Sequence, residues 1–121
     1  MYERVEVAAA PEVVVLRLRE ALVARGVTEY AVVDHGRDMA AAGRPGIIAW
    51  TLVFGNPAAG ADVLEHDLAA AADLPLRMGV IADGKGHAAI VFRDMRTLLR
   101  DELADVADAM TATLRSLATG V

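Results

Sequence analysis

Cysteine is absent from this chain of 121 residues. Its absence excludes a disulfide framework, a zinc-thiolate site and a thiol nucleophile. Serine occurs once, at Ser116, and no histidine stands beside it in a nucleophile motif, so serine hydrolase chemistry is not expected. Aromatic residues make up only 4% of the chain, which leaves few rings on which the bases of a single-stranded nucleic acid could stack.

Positive charge is also scarce. The chain has twelve basic and seventeen acidic residues, which gives a net charge of -5. The arginines are scattered along the sequence. Binding to a phosphate backbone needs a concentrated positive surface. We therefore expect no nucleic-acid partner.

Long hydrophobic runs are missing as well. The longest, Ile47 to Phe54, is far shorter than the roughly twenty residues that cross a bilayer. The first residues, from Met1 to Glu6, lack the basic start and apolar stretch of a signal peptide. These features predict a cytoplasmic protein without a membrane-bound segment.

The length predicts one domain spanning residues 1–121, and the periodicity of apolar residues divides it into nine elements. The strand at Ile47–Phe54 is almost entirely apolar, which is typical of a strand covered on both faces. The elements are a strand around Val5–Val7, a helix from Pro11 to Gly26, a strand at Tyr30–Asp34, a short helix from His35 to Ala42, a strand at Ile47–Phe54, a helix from Pro57 towards Asp73, a hairpin of Leu76–Ala82 and Ala88–Phe92, and a helix from Met95 to Thr119.

This order, β-α-β-(short α)-β-α-β-β-α, predicts an α+β fold. Because the hairpin favours antiparallel pairing, we expect a mainly antiparallel or mixed sheet of about five strands with helices packed mainly on one face. The predicted last helix would be about 35 Å long at 1.5 Å per residue, longer than the strands beneath it. Its far end is expected to pack on a second copy, which predicts a homodimer.

Four short motifs follow one another along the chain: Asp34-His35-Gly36, Leu52-Val53-Phe54-Gly55-Asn56-Pro57 with Gly60 close behind, Asp73-Leu74-Pro75-Leu76-Arg77, and Asp83-Gly84-Lys85-Gly86. In this order and spacing they resemble the domain-of-unknown-function 302 family over roughly Val5 to Leu99. The resemblance implies a β-α-β(4)-α core related to the TATA-binding-protein-like architecture, and it implies no assigned activity. The chain departs from the family pattern at Gly60-Ala61, where the family usually has Gly-Thr, and at Asp94-Met95, where it usually has Asp-Pro.

The first candidate site centres on His35. Asp34 is expected to cap the short helix, while His35 is expected to meet Asp73 or Asn56 across the core. An imidazole held by a carboxylate is a usable general base near neutral pH. A structural hydrogen bond would explain the same residues.

The second candidate is the loop from Gly55 to Gly60, between a buried strand and a helix N-terminus. Free N–H groups at such a position attract anions. Asn56 as the N-cap and Pro57 as the first helical residue explain the same sequence without a ligand. The candidate ligand-binding residues are therefore Asp34, His35, Gly55, Asn56, Gly60 and Asp73.

A third interpretation starts from Asp62, Glu65, His66 and Asp67 on one helix. A metal site needs three or four converging ligands, and a solvated charge cluster is the simpler explanation. We predict no metal and no cofactor.

The leading hypothesis is a non-catalytic module that binds a small or anionic ligand or assembles as a homodimer. The alternatives are a small-molecule enzyme or anion site at His35, Asn56 and Asp73, and a metal-handling protein. The sequence leaves open whether the protein is an enzyme.

Overall fold

Alternating apolar residues form five strands, and the computed structural model, which describes residues 2–121, joins them in one sheet. The strand order is β1-β5-β4-β3-β2 and every neighbouring pair is antiparallel. The predicted α+β fold is confirmed. The strands are β1 (Tyr2–Val7), β2 (Thr28–Asp34), β3 (Ala49–Gly55), β4 (Leu76–Ala82) and β5 (Ala88–Arg93), and the helices are α1 (Pro11–Ala24), α2 (His35–Ala41), α3 (Pro57–His66) and α4 (Ala104–Thr119).

The core lies between one face of the sheet and helices α1 and α4. Strands have a period of two, so alternate residues of β3, β4 and β5 point into this core while their neighbours point to the opposite, open face. The buried side chains come from all five elements and include Leu52, Phe54, Met78, Val80, Ile90, Phe92, Val14, Leu18, Leu22, Leu114 and Leu117.

The prediction that the third strand is covered on both faces was wrong, because one face of the sheet is open. Strand β3 is not covered on both sides, because Thr51 and Val53 on its open side are only half-buried. Ile47 and Ile48 precede the strand and are each 47% exposed. The apolar run therefore combines an exposed loop with a strand that is buried on one face.

The predicted helix starts are confirmed by their hydrogen bonds. Asp34 accepts from the backbone N–H of Arg37 at 2.9 Å, and Asn56 accepts from that of Ala58 at 2.9 Å. Pro57 then begins α3. These caps satisfy N–H groups that have no partner inside a helix.

Helix α3 ends earlier than predicted. Asp67 has extended backbone angles, and its carboxylate accepts from the N–H of Ala69 at 3.0 Å, which starts a separate 3-10 turn at Leu68–Ala72. Leu68, predicted on the apolar stripe of a longer helix, is 79% exposed. The aspartate side chain competes with the helical backbone for its hydrogen bonds.

The prediction of one long C-terminal helix was wrong. Two 3-10 turns, Met95–Thr97 and Asp101–Leu103, come before α4, and the backbone N–H of Met95 donates to Thr111 Oγ1 at 2.9 Å. With 16 residues, α4 is about 24 Å long and its Leu114 and Leu117 are buried against the domain's own core. The overhang that predicted a homodimer does not exist, so the homodimer stays a prediction that needs another argument.

Within residues 2–121, none of the helices combines the length and the apolar content that crossing a bilayer requires.

Candidate ligand-binding hollow

A hollow of about 730 Å³ lies at the end of the sheet where β3 leads into α3. We call it the apolar hollow. Its other walls come from α4 and from the segment before β4. It is lined by Arg25, Val27, Tyr30, Phe54, Gly55, Asn56, Pro57, Ala59, Gly60, Ala61, Leu64, Ala71, Leu74, Pro75, Leu76, Val106, Ala109, Met110 and Thr113.

The apolar hollow arises where the chain leaves the sheet. Phe54, the last buried residue of β3, lies at the hollow with 1% of its surface exposed, and the chain then turns at Gly55. A Cβ atom at Gly55 would lie 3.6 Å from Pro75 and 3.7 Å from the ring of Tyr30, so these groups pack closely. Partly buried Leu64 and Met110 add further apolar surface.

Among residues 2–121, one charged side chain lines the apolar hollow, that of Arg25. Arg25 follows α1, and its Nη2 donates to Ser116 Oγ at 3.0 Å. Within residues 2–121, no carboxylate lies within 4 Å of this guanidinium. Three other arginines do hold carboxylates, each through two hydrogen bonds: Arg19 with Glu29, Arg96 with Asp108, and Arg115 with Glu3.

These paired arginines show the usual effect of a neighbouring carboxylate. The hydrogen bonds that the guanidinium of Arg96 donates to Asp108 raise the pKa of Arg96 and lower the pKa of Asp108. Arg25 has a neutral hydroxyl in place of such a partner.

A second hollow, of about 630 Å³, lies on the open face of the sheet, and we call it the sheet cleft. Its lining includes His35, Thr51, Asp73, Arg77 and Arg93. His35 Nε2 and Thr51 Oγ1 share a hydrogen bond of 2.7 Å. The bond expected between His35 and Asp73 or Asn56 is thus replaced by one to a hydroxyl on β3.

The structure divides the predicted site residues between these two hollows. Gly55, Asn56 and Gly60 line the apolar hollow, whereas His35 and Asp73 line the sheet cleft. Asp34 caps α2. The proposed trio of His35, Asn56 and Asp73 therefore does not meet in one cavity.

The acidic residues around His66 do not form a metal site. Across residues 2–121, no three His, Cys, Asp or Glu side chains converge in a way that could hold a metal ion. His66 instead lies 3.7 Å from Glu102, a residue that precedes α4.

Comparison with known proteins identifies the family to which the four motifs belong. Residues 3–120 match the family described as Domain of unknown function DUF302. The chain belongs to this family. The match extends the resemblance to nearly the whole chain. No functionally curated protein is significantly similar in sequence.

The fold of this DUF302 chain also occurs in a solved structure. The crystal structure of the uncharacterized conserved protein DUF302 from Bacillus stearothermophilus superposes with a TM-score of 0.89 at 20% identity. The alignment covers 98% of this chain and 95% of the other. At this identity the likeness shows a shared fold.

Sequence reasoning missed the residues that give the DUF302 chain its apolar hollow. Arg25 reads as a helix-end residue, and Val106 and Met110 read as core positions of a long helix. Only the side-chain spacing of α4 was visible in the sequence, and spacing does not show which apolar residues face a gap.

Proposed function

We propose that the protein is a non-catalytic module that binds a small molecule with an apolar body and one carboxylate in the apolar hollow. The observation that carries the proposal is the combination of an apolar lining with one guanidinium that has no carboxylate partner. Gly55, Asn56 and Gly60, which the sequence indicated, lie on this lining.

The size of the apolar hollow supports this function. Ligand pockets typically measure about 300–1,000 Å³ and are lined mainly by apolar side chains with a few polar groups. The value of about 730 Å³ lies within this range. Each methylene that a ligand buries there contributes about 0.8 kcal/mol.

Arg25 supplies the specificity for a negative charge. A guanidinium has five N–H donors in a planar fork that matches a carboxylate through two parallel hydrogen bonds. The contact with Ser116 uses Nη2 and restrains the side chain, so further donors remain for a ligand. An anion at this position would meet no carboxylate among the residues that line the hollow.

The same lining favours a site that binds a ligand without catalysing a reaction on it. Among residues 2–121, no His, Asp, Glu, Lys or Cys lines the apolar hollow. General acid-base catalysis most often uses side chains of these types or tyrosine, and Tyr30, which lines the hollow, has none of them beside it in the lining to exchange a proton with. We therefore expect a ligand bound here to be released without a chemical change.

Decanoate and decanol provide the test, because they share an apolar chain and differ in charge. We expect decanoate to bind more tightly in isothermal titration calorimetry, and Arg25→Gln to weaken it about tenfold without changing decanol. Arg17→Gln, at an exposed position of α1, is the matched control and should bind both as the wild type does. Equal affinity of the wild type and Arg25→Gln for decanoate would contradict the proposal.

A second candidate is a homodimer formed through α1. Val13, Leu16 and Val23 are exposed by 39%, 58% and 81% and lie on one side of this helix. Glu20 and Arg17 lie beside them. A two-fold axis near the middle of α1 would bring Glu20 of each copy close to Arg17 of the other, which would combine apolar burial with opposite charges.

The mass in solution tests this candidate. Light scattering at high micromolar concentration should give twice the 12.7 kDa of one chain, and Leu16→Glu should give a single chain, because a carboxylate would be buried without a partner. Leu68→Glu is the control, since Leu68 is also exposed and lies outside α1. A wild-type protein that is monomeric at this concentration would rule out the homodimer.

A further inference from the structure

Strands β4 and β5, which are neighbours in the sheet, separate at one end. The ladder between β4 and β5 runs from Gly79 opposite Val91 to Ala82 opposite Ala88. Beyond Gly79, β4 continues to pair with β3 as far as Leu76, and beyond Val91, β5 continues to pair with β1 as far as Arg93. The strands thus follow their outer neighbours and part from each other.

The sheet cleft lies at this separation. Its lining combines residues of the open face with residues of the core side, including Met95, Leu98 and Leu114. Gly79 stands where the strands begin to part and has no side chain to fill the cleft. A Cβ atom there would approach Val91 Cγ2 to 2.9 Å.

An arginine stands on each side of the sheet cleft. Arg77 belongs to β4 and Arg93 to β5, both on the open face, and both line the cleft. Among residues 2–121, neither has a carboxylate within 4 Å. The register of the ladder, continued past Gly79 and Val91, puts these two arginines opposite each other, and an anion bound between them would offset the repulsion of their like charges.

The surroundings hold Arg93 in place. Its guanidinium carbon lies 5.0 Å from the centre of the Tyr2 ring, and its Nη2 lies 3.5 Å from the Tyr2 hydroxyl. A cation over an aromatic face is attracted by the ring, so Tyr2 restrains Arg93 at the edge of the cleft. Of the residues that the structure describes, Asp73 is the one acidic residue in the lining.

We propose that the sheet cleft is a second ligand site, which binds the phosphate group of a small phosphate monoester between Arg77 and Arg93 and directs its ester group towards Met95 and Leu98. A phosphate carries close to two negative charges near neutral pH and three acceptor oxygens, so it can accept from guanidinium groups on both sides at once. The apolar residues below favour an apolar ester group over a bare ion. The site is separate from Arg25 and does not depend on the function proposed for the apolar hollow.

Phenyl phosphate and inorganic phosphate are the probes, and calorimetric titration is the measurement. We expect phenyl phosphate to bind more tightly than inorganic phosphate. Arg77→Gln and Arg93→Gln should each weaken phenyl phosphate about tenfold, whereas Asp73→Asn should strengthen it by removing a like charge. Arg44→Gln, at an exposed position that lines neither hollow, should bind it as the wild type does, and thermal melts should show that all four variants remain folded.

Two results would overturn this proposal. One is the absence of phenyl phosphate binding at millimolar concentration. The other is a loss of affinity in Arg44→Gln as large as in Arg77→Gln and Arg93→Gln, because binding would then follow overall charge rather than the cleft.

Discussion

Gly36→Ala should lower the free energy of unfolding by about 1–3 kcal/mol, the usual cost of forcing extra atoms into a packed site. A Cβ atom at Gly36 would lie 2.4 Å from the backbone carbonyl oxygen of Ile47. Backbone cannot rotate away as the end of a flexible side chain can, so α2 or the loop before β3 must move. Urea unfolding of the wild type and the variant measures the difference.

Gly60→Ala is the matched control, because Gly60 is also a helical glycine in one of the family motifs. No atom lies within 4 Å of a Cβ placed there. Alanine is favoured over glycine in a helix interior by about 0.5–1 kcal/mol, so this variant should be slightly more stable than the wild type. If Gly36→Ala were as stable as Gly60→Ala, the close approach of Ile47 to α2 would be contradicted.

Ala109→Trp should weaken decanoate binding more than about a hundredfold. Ala109 lies on α4 and lines the apolar hollow, so an indole there would occupy the volume that the ligand needs. Losing the burial of a few methylenes, at about 0.8 kcal/mol each, is enough for such a loss. Calorimetric titration with decanoate measures it.

Ala112→Trp is the control for this variant. Ala112 is an exposed residue of the same helix and lines neither hollow. The Ala112→Trp variant adds the same side chain and should leave decanoate binding unchanged. Similar binding by the two tryptophan variants would show that decanoate binds elsewhere.

The parts of the fold that the sequence predicted are those set by local chemistry. The alternation in Leu76–Ala82 and Ala88–Phe92 specifies a hairpin, and the caps at Asp34 and Asn56 need only their own backbone neighbours. The segment after Met95 could not be predicted in this way. Apolar residues three and four apart fit one long helix, but the hydrogen bond from Met95 to Thr111 joins positions far apart in the sequence.

The residues of the candidate site likewise fall into those that local sequence predicts and those that only the packing of distant elements brings together. Gly55, Asn56 and Gly60 were predicted because they lie within six residues of one another, where β3 ends and α3 begins. Arg25 and Met110 reach the apolar hollow from different helices, and their meeting depends on how α1 and α4 pack. His35 likewise meets Thr51 through the pairing of β2 with β3, which its immediate sequence does not encode.

The most direct test of the proposed function is a nuclear magnetic resonance titration of the nitrogen-15-labelled protein with decanoate. Glycine amides report on both hollows and on a distant turn. If decanoate binds in the apolar hollow, the amide signals of Gly55 and Gly60 shift in a saturable way while those of Gly79 and Gly84 stay in place. Saturable shifts at Gly79 without shifts at Gly55 and Gly60, or no shifts at all, would contradict it.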